Sequence, residues 1–134
     1  MDAEILLRTL WALAIAGIGL LAYSLTNRLI LARAARKSHG LDGFSPGVPA
    51  ILYFTTPTCA PCKTVQRPAI QQVQQTLGDE IQVIEIDASE QLDLAKEWGV
   101  ISVPTTFILD KNGQPRLINH GVTRAEKLLA QLKG

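Results

Sequence analysis

The stretch VPAILYFTTPTCAPCKTVQRPAIQQVQQTLG, residues 48–78, decides the architecture. Its first eight residues are a short apolar run rich in β-formers, which predicts a strand buried on both faces. From Lys63 onward, Val65, Ala69, Val73 and Leu77 recur every four residues, which predicts a helix with glutamines on its opposite face and Gly78 as its stop. Between strand and helix lie the chain's only two cysteines, Cys59 and Cys62. They follow the carboxyl end of the strand, the edge at which α/β sheets meet their ligands.

Downstream, IQVIEID (81–87) alternates like a strand. DASEQLDLAKEWG (87–99) offers a D-x-x-E capping box, Asp87 with Glu90, and then a helix that stops at Gly99. TTFILD (105–110) and PRLINHG (115–121) flank KNGQ (111–114), whose Asn-Gly dipeptide is a strong hairpin signal. A second capping box, Thr123 with Glu126, opens the amphipathic helix of TRAEKLLAQLKG (123–134). The order β-α-β-α-β-β-α predicts two parallel crossover units and then an antiparallel hairpin. The expected fold is α/β, with a mixed four-stranded sheet covered on both faces over residues 48–134.

Upstream, TLWALAIAGIGLLAYSLTN (9–27) carries no charged side chain, and as a helix it reaches about 28 Å at ~1.5 Å per residue, near the thickness of a bilayer core. Gly17 and Gly19 suit a membrane helix, and Trp11 and Tyr23 sit near its two ends, where amphipathic rings favour the headgroups. A small domain has no core wide enough to hide a helix that is apolar on every side. A cleaved signal peptide is the rival reading, with ARA (32–34) as its A-x-A. Against it stand Asp2 and Glu4 ahead of the apolar run, the length of that run, and the basic residues around the cleavage point. Those residues, Arg28, Arg33, Arg36 and Lys37, predict that the C-terminal domain faces the cytosol, because short basic flanks stay on the cytoplasmic side. Residues 1–37 therefore read as a single-pass transmembrane helix with a basic flank. SHGLDGFSPG (38–47) reads as a linker.

Thirteen basic residues against twelve acidic leave a formal charge of +1, so no global field favours nucleic acid. Two cysteines in one C-x-x-C are too close in sequence to close a stabilising loop, so their role is local. A thiol at a helix start lies where unpaired N–H groups and the macrodipole favour negative charge, which lowers its pKa below the usual ~8.5. Cys59 is that thiol. Cys62, one turn further and turned inward, is placed to resolve a mixed disulfide formed at Cys59. Pro61 fits the first turn, which needs no N–H there, and stiffens the loop between the sulfurs. A closed zinc site would need four ligands, and only His39 and His120 are left to join the cysteines, neither at ligand spacing. Inert packing is the remaining alternative, and the polar Thr55, Thr56 and Thr58 argue against it.

CAPC after a buried strand, VPT (103–105) and DKNG (110–113) in the hairpin together resemble the thioredoxin family over roughly residues 45–134. That resemblance implies a three-layer fold and thiol–disulfide exchange with protein disulfide substrates, with an upstream electron donor, no cofactor and no metal. It also implies that Pro104 is cis and faces the cysteines, that Val103 and Thr105 present backbone to the substrate, and that Gly121 lines the groove. His120 beside Gly121 is then either a rim residue or a plain strand histidine. Thr58 stands where the family usually has tryptophan. Tyr53 and Val83 replace its buried carboxylate and lysine, leaving Glu85 or water to serve Cys62 as a base. Pro68 falls one residue later than usual, and residues 37–47 are too few for the family's first strand and helix. The expected function is a membrane-anchored disulfide reductase, and the alternative is a non-catalytic binding or scaffold module on the same fold.

Overall fold

The computed structural model describes residues 2–37 and 41–133, and the chain divides into two units, Met1–Ile30 and Leu31–Gly134. His39 lies outside the described residues.

The first unit is helical. No proline interrupts the first 37 residues, and a single helix, α1 (Ala3–Lys37), runs through the apolar stretch and on into its basic flank. Its 32-residue segment Ala3–Ala34 is long and apolar enough to cross a membrane. The two threonine hydroxyls near its ends donate back to main-chain carbonyls, Thr9 to Ile5 and Thr26 to Ala22, so neither demands water. In the second unit, Ala34 near the end of α1 is fully buried.

The rest of the second unit is a four-stranded sheet in the order β2-β1-β3-β4, made of β1 (Ala50–Thr55), β2 (Gln82–Asp87), β3 (Thr105–Leu109) and β4 (Pro115–His120). β1 and β2 are parallel, whereas β3 is antiparallel to both β1 and β4. The second parallel crossover expected from the sequence does not form. α3 (Leu92–Glu97) has only six residues, and after it the chain re-enters the sheet from the end at which β2 finished.

The strand alternation separates two cores. Ile51 and Tyr53 of β1 and Ile108 of β3 pack with Ile70 and Val73 of α2 (Arg67–Leu77) and with Ala125 and Leu128 of α4 (Ala125–Lys133). The intervening residues Leu52 and Phe54 are also fully buried, and Phe54, Phe107 and Trp98 form an aromatic cluster with ring centroids 5.1–6.5 Å apart.

Local geometry departs from the sequence pattern in three places. A π-turn, Cys62–Gln66, precedes α2 and inserts one extra residue into the helical path. Val65 of the predicted stripe faces outward, 47% exposed, and Gln66, four residues before Ile70 and seven before Val73, takes the core position beside them. Neither capping box forms as drawn. The Asp87 carboxylate takes the Ser89 N–H and hydroxyl in a tight turn, and α3 starts only at Leu92. Thr123 N–H, which Glu126 should have satisfied, is held by Gln66 instead. The hairpin is also longer than a two-residue turn. Asp110 accepts from the N–H groups of Asn112 and Gln114, and only Gly113 has positive φ, at 82°. A two-residue Asn-Gly turn requires positive φ at both residues.

The chain enters β1 through a fastened segment. Gln82 donates to the carbonyls of Ser45 and Val48 and accepts from Ser45 N–H, and Gly47 N–H reaches Lys111 O. Phe44 covers Gly113 closely enough that an added Cβ there would lie 3.0 Å from its ring.

Candidate functional site

The site forms where the chain leaves β1 at Thr55 and turns into the helical path. Cys59 N–H bonds to Thr56 O across that turn, Ala60 and Pro61 are already helical, and the π-turn starts at Cys62. Cys59 and Cys62 are joined in a disulfide, with Cα atoms 5.3 Å apart. The two sulfurs are not equivalent. Cys59 is half-buried and its sulfur accepts the Cys62 N–H at 3.2 Å, whereas Cys62 is fully buried within the core. The same N–H is placed to stabilise a thiolate on Cys59 once the disulfide opens.

The Val103–Pro104 peptide is cis, as the resemblance implied. Val103 is half-buried and packs on the core cluster that includes Cys62, and Cys59 packs on the same cluster. Pro104 is buried, and its carbonyl accepts the N–H of Gly121, whose φ of 80° suits glycine. Thr105 is fully buried, and its hydroxyl donates to Ser102 O, closing the loop ahead of the proline. The cis-proline segment and Gly121 are thus joined by main chain, and Val103 and both cysteines share one core. Pro61 stays exposed beside the disulfide. His120 is half-buried and sits opposite Thr105 in the sheet. Among the described residues no group of three His, Cys, Asp or Glu is arranged to hold a metal.

Two polar residues near the cysteines escaped the sequence pattern. Tyr53, nearly fully buried, donates its hydroxyl to Cys62 O at 3.2 Å. Burial, partly offset by the Thr55 hydroxyl, pushes its phenol up, so it remains a donor at neutral pH. Glu85, named with water as the base for Cys62, is engaged by Arg67 on a partly exposed surface. The second is Gln66, fully buried at the end of the π-turn. A tyrosine in an otherwise apolar strand, six residues before Cys59, was the available signal for the first.

An apolar cleft of about 390 Å³ opens beside Val103, between Thr56, Ala88, Leu92, Val100 and Ile101. Ile101 is 79% exposed, a large apolar side chain left open next to the disulfide-bearing edge. A larger cleft, about 750 Å³, lies by Leu109, Lys111 and Leu132. Leu109 pairs with Ala50 at the start of β1, so that cleft is at the end of the sheet remote from the cysteines. The chemistry, not the cavity size, places the site.

The thioredoxin family model matches residues 45–134. The chain is 34% identical over 85 residues to chloroplastic thioredoxin Y of Oryza sativa subsp. japonica, an alignment covering 63% of this chain and 49% of that protein. It is 36% identical over 61 residues to thioredoxin of Bacillus subtilis, covering 46% of this chain and 57% of the relative. The chain therefore spans about half to three fifths of the length of these relatives. Among solved structures it is similar to oxidised mitochondrial thioredoxin 3 of Saccharomyces cerevisiae, with a TM-score of 0.56 and 26% identity over 63% of this chain and 76% of that one. A malaria parasite thioredoxin-2, at 22% identity and a TM-score of 0.62 over 69% of this chain and 88% of its own, shares the fold. With the family model spanning most of its length and a disulfide-bonded C-x-x-C at the head of its first crossover helix, the chain belongs to the thioredoxin family.

Proposed function

We propose that this chain is a membrane-anchored thiol–disulfide oxidoreductase acting on protein disulfides. Residues 1–37 serve as anchor and basic flank, 38–47 as link and 48–134 as redox domain. The observation that carries the reading is the asymmetry of the cysteine pair: Cys59 is accessible and accepts an N–H at its sulfur, while Cys62 is buried behind it. In the reduced form the Cys59 thiolate attacks a substrate disulfide, forming a mixed disulfide and releasing one substrate thiolate. The Cys62 thiolate then attacks the Cys59 sulfur, which closes the intramolecular disulfide and releases the second substrate thiol. Two electrons pass to the substrate, and an upstream dithiol donor must return them. Pro61, Val103 and Gly121 form the surface against which the substrate chain lies, backed by the buried Pro104 and Thr105. The test is insulin reduction by the full chain in detergent, with a dithiol as electron source. Wild type turns over, Cys59→Ser does not, and Cys62→Ser accumulates mixed disulfides at Cys59. A wild type without turnover, or a Cys59→Ser variant that retains it, refutes the reading and leaves a binding module on the same fold.

The domain faces the cytosol, a placement supported by Arg28, Arg33, Arg36 and Lys37 just beyond the apolar run. In a reducing compartment the pair acts as a reductant. A C-terminal fusion to a fluorescent protein or to a secreted phosphatase reads the side directly. Phosphatase activity without fluorescence would place the same chemistry, and its substrates, outside the cytoplasm.

A further inference from the structure

The π-turn ends on a residue that the exchange reaction itself does not use. Gln66 is fully buried, and its carboxamide makes two hydrogen bonds to one distant residue: Nε2 donates to Thr123 O at 3.1 Å and Oε1 accepts Thr123 N–H at 2.8 Å. A primary amide offers a donor and an acceptor in one plane, so it can satisfy both main-chain groups of a residue that no strand pairs. Thr123 is such a residue, lying past the end of β4 and before the first turn of α4. Two residues earlier, Gly121 N–H bonds to Pro104 O. The carboxamide thus begins a continuous connection from the cysteine-bearing turn through Thr123 and Gly121 to the cis-proline segment. At its other end the π-turn is fixed as well, since Cys62 O accepts both Arg67 N–H and the Tyr53 hydroxyl. Gln66 lies four residues before Ile70 and seven before Val73, the spacing of one helical face, and so shares their core side.

The geometry points to Gln66 as a positioning residue: its clamp on Thr123 holds the 121–123 segment against Pro104, so that the groove beside Cys59 keeps the shape that an extended protein substrate needs. This rests on the oxidoreductase reading above. Gln66 makes no hydrogen bond to either sulfur, so it should affect substrates that fill the groove and spare those that need only an accessible Cys59. Losing two buried main-chain hydrogen bonds should raise KM for a protein disulfide by about three- to tenfold.

The experiment compares wild type, Gln66→Leu and Gln66→Met as full-length chains in detergent. Leucine and methionine keep much of the side-chain volume while removing the polar pair. Each chain is assayed on insulin and on a small aromatic disulfide, and the Cys59 thiol is titrated by thiolate absorbance. The expected result is a raised KM for insulin with kcat, small-disulfide rate and Cys59 titration unchanged within about twofold, and with amide exchange accelerated at Thr123 and Gly121. Insulin and small-disulfide rates falling together, or an unchanged insulin KM in a folded variant, would overturn the positioning role. If Gln66→Leu does not fold, Gln66→Met decides. If neither folds, Gln66 is a structural residue and the proposal fails. If wild type reduces neither disulfide, the oxidoreductase reading is what has failed, and the positioning role goes with it.

Discussion

Replacing Tyr53 by phenylalanine isolates one hydrogen bond at Cys62. The ring stays fully buried in the core and the hydroxyl alone is lost, so no cavity term of the large-to-small kind arises. The acceptor is not orphaned either, because Cys62 O keeps the Arg67 N–H. What remains is the net worth of one neutral hydrogen bond, about 0.5–1.5 kcal/mol. For a domain of this size that corresponds to a fall in Tm of roughly 4–8 °C per kcal/mol. The assay is urea unfolding of the oxidised full chain in detergent, in a Trp11→Phe background where Trp98 is the only tryptophan. The titration gives a second reading. Burial raises the phenol pKa in the folded state above its ordinary value of 10.0. Its contribution is therefore fully present below that value and is lost as pH rises through the higher folded pKa. The gap between wild type and Tyr53→Phe should close in strong alkali. A variant as stable as wild type at pH 7 would refute the hydrogen bond. A loss above about 2.5 kcal/mol would refute the claim that Arg67 still satisfies the carbonyl.

Trp98→Ala removes the ring at the centre of the Phe54 and Phe107 cluster and should cost about 3–5 kcal/mol, measured by circular dichroism in denaturant. Gly113→Ala must adopt a φ of 82° and meet Phe44 at 3.0 Å; the backbone share is about 1–2 kcal/mol, and adding Phe44→Ala should recover only the steric remainder. At Asp110 burial alone would raise the carboxyl pKa, but the N–H groups of Gln114 and Asn112 and the Arg116 guanidinium outweigh it and hold the value below 3.8. Its contribution is present above 3.8 and is lost as pH falls through the lower folded value, so Asp110→Asn should flatten the acid limb of a Tm-against-pH curve while lowering Tm at pH 7. An acid limb unchanged by the substitution counts against that assignment.

The parts of the molecule that were legible in sequence are those where one local pattern has one structural solution. An apolar β-rich run followed by the only two cysteines leaves little choice but a buried strand opening into a site, and β1 and the disulfide are there. The V-P-T context carried the cis peptide at Pro104. What was not legible depended on geometry that a period count presumes. Counting Val65, Ala69, Val73 and Leu77 every four residues drifts about 40° per step from a 3.6-residue turn, so the face that meets the core is Gln66, Ile70, Val73 and Leu77 instead. The start of α3 at Leu92 was hidden as well, because Asp87 takes the Ser89 N–H and hydroxyl in a tight turn ahead of it. Local hydrogen bonds of this kind compete with caps on nearly equal terms, so spacing alone cannot choose between them.

Side-chain amides join segments of this domain that no strand ladder reaches. Gln82, on edge strand β2, holds Ser45 and Val48 across 37 and 34 residues, Gln66 holds Thr123 across 57, and Asn119 and Gln131 exchange two bonds at 2.8 Å between β4 and α4. These bonds are not energetically alike. Gln82 is partly open to water, which can replace a lost partner, so its net contribution is small. Gln66 has no such recourse. Removing its carboxamide strands the N–H and carbonyl of Thr123, itself only 4% exposed, and unpaired buried groups cost more than an intact bond contributes. The same reasoning separates Gln66 from the exposed glutamines that follow it. Gln71, Gln72, Gln74 and Gln75 all face solvent and are interchangeable with other good helix formers. Of these five glutamines Gln66 alone is set apart, because it lies four residues before Ile70 and seven before Val73, on the face turned to the core.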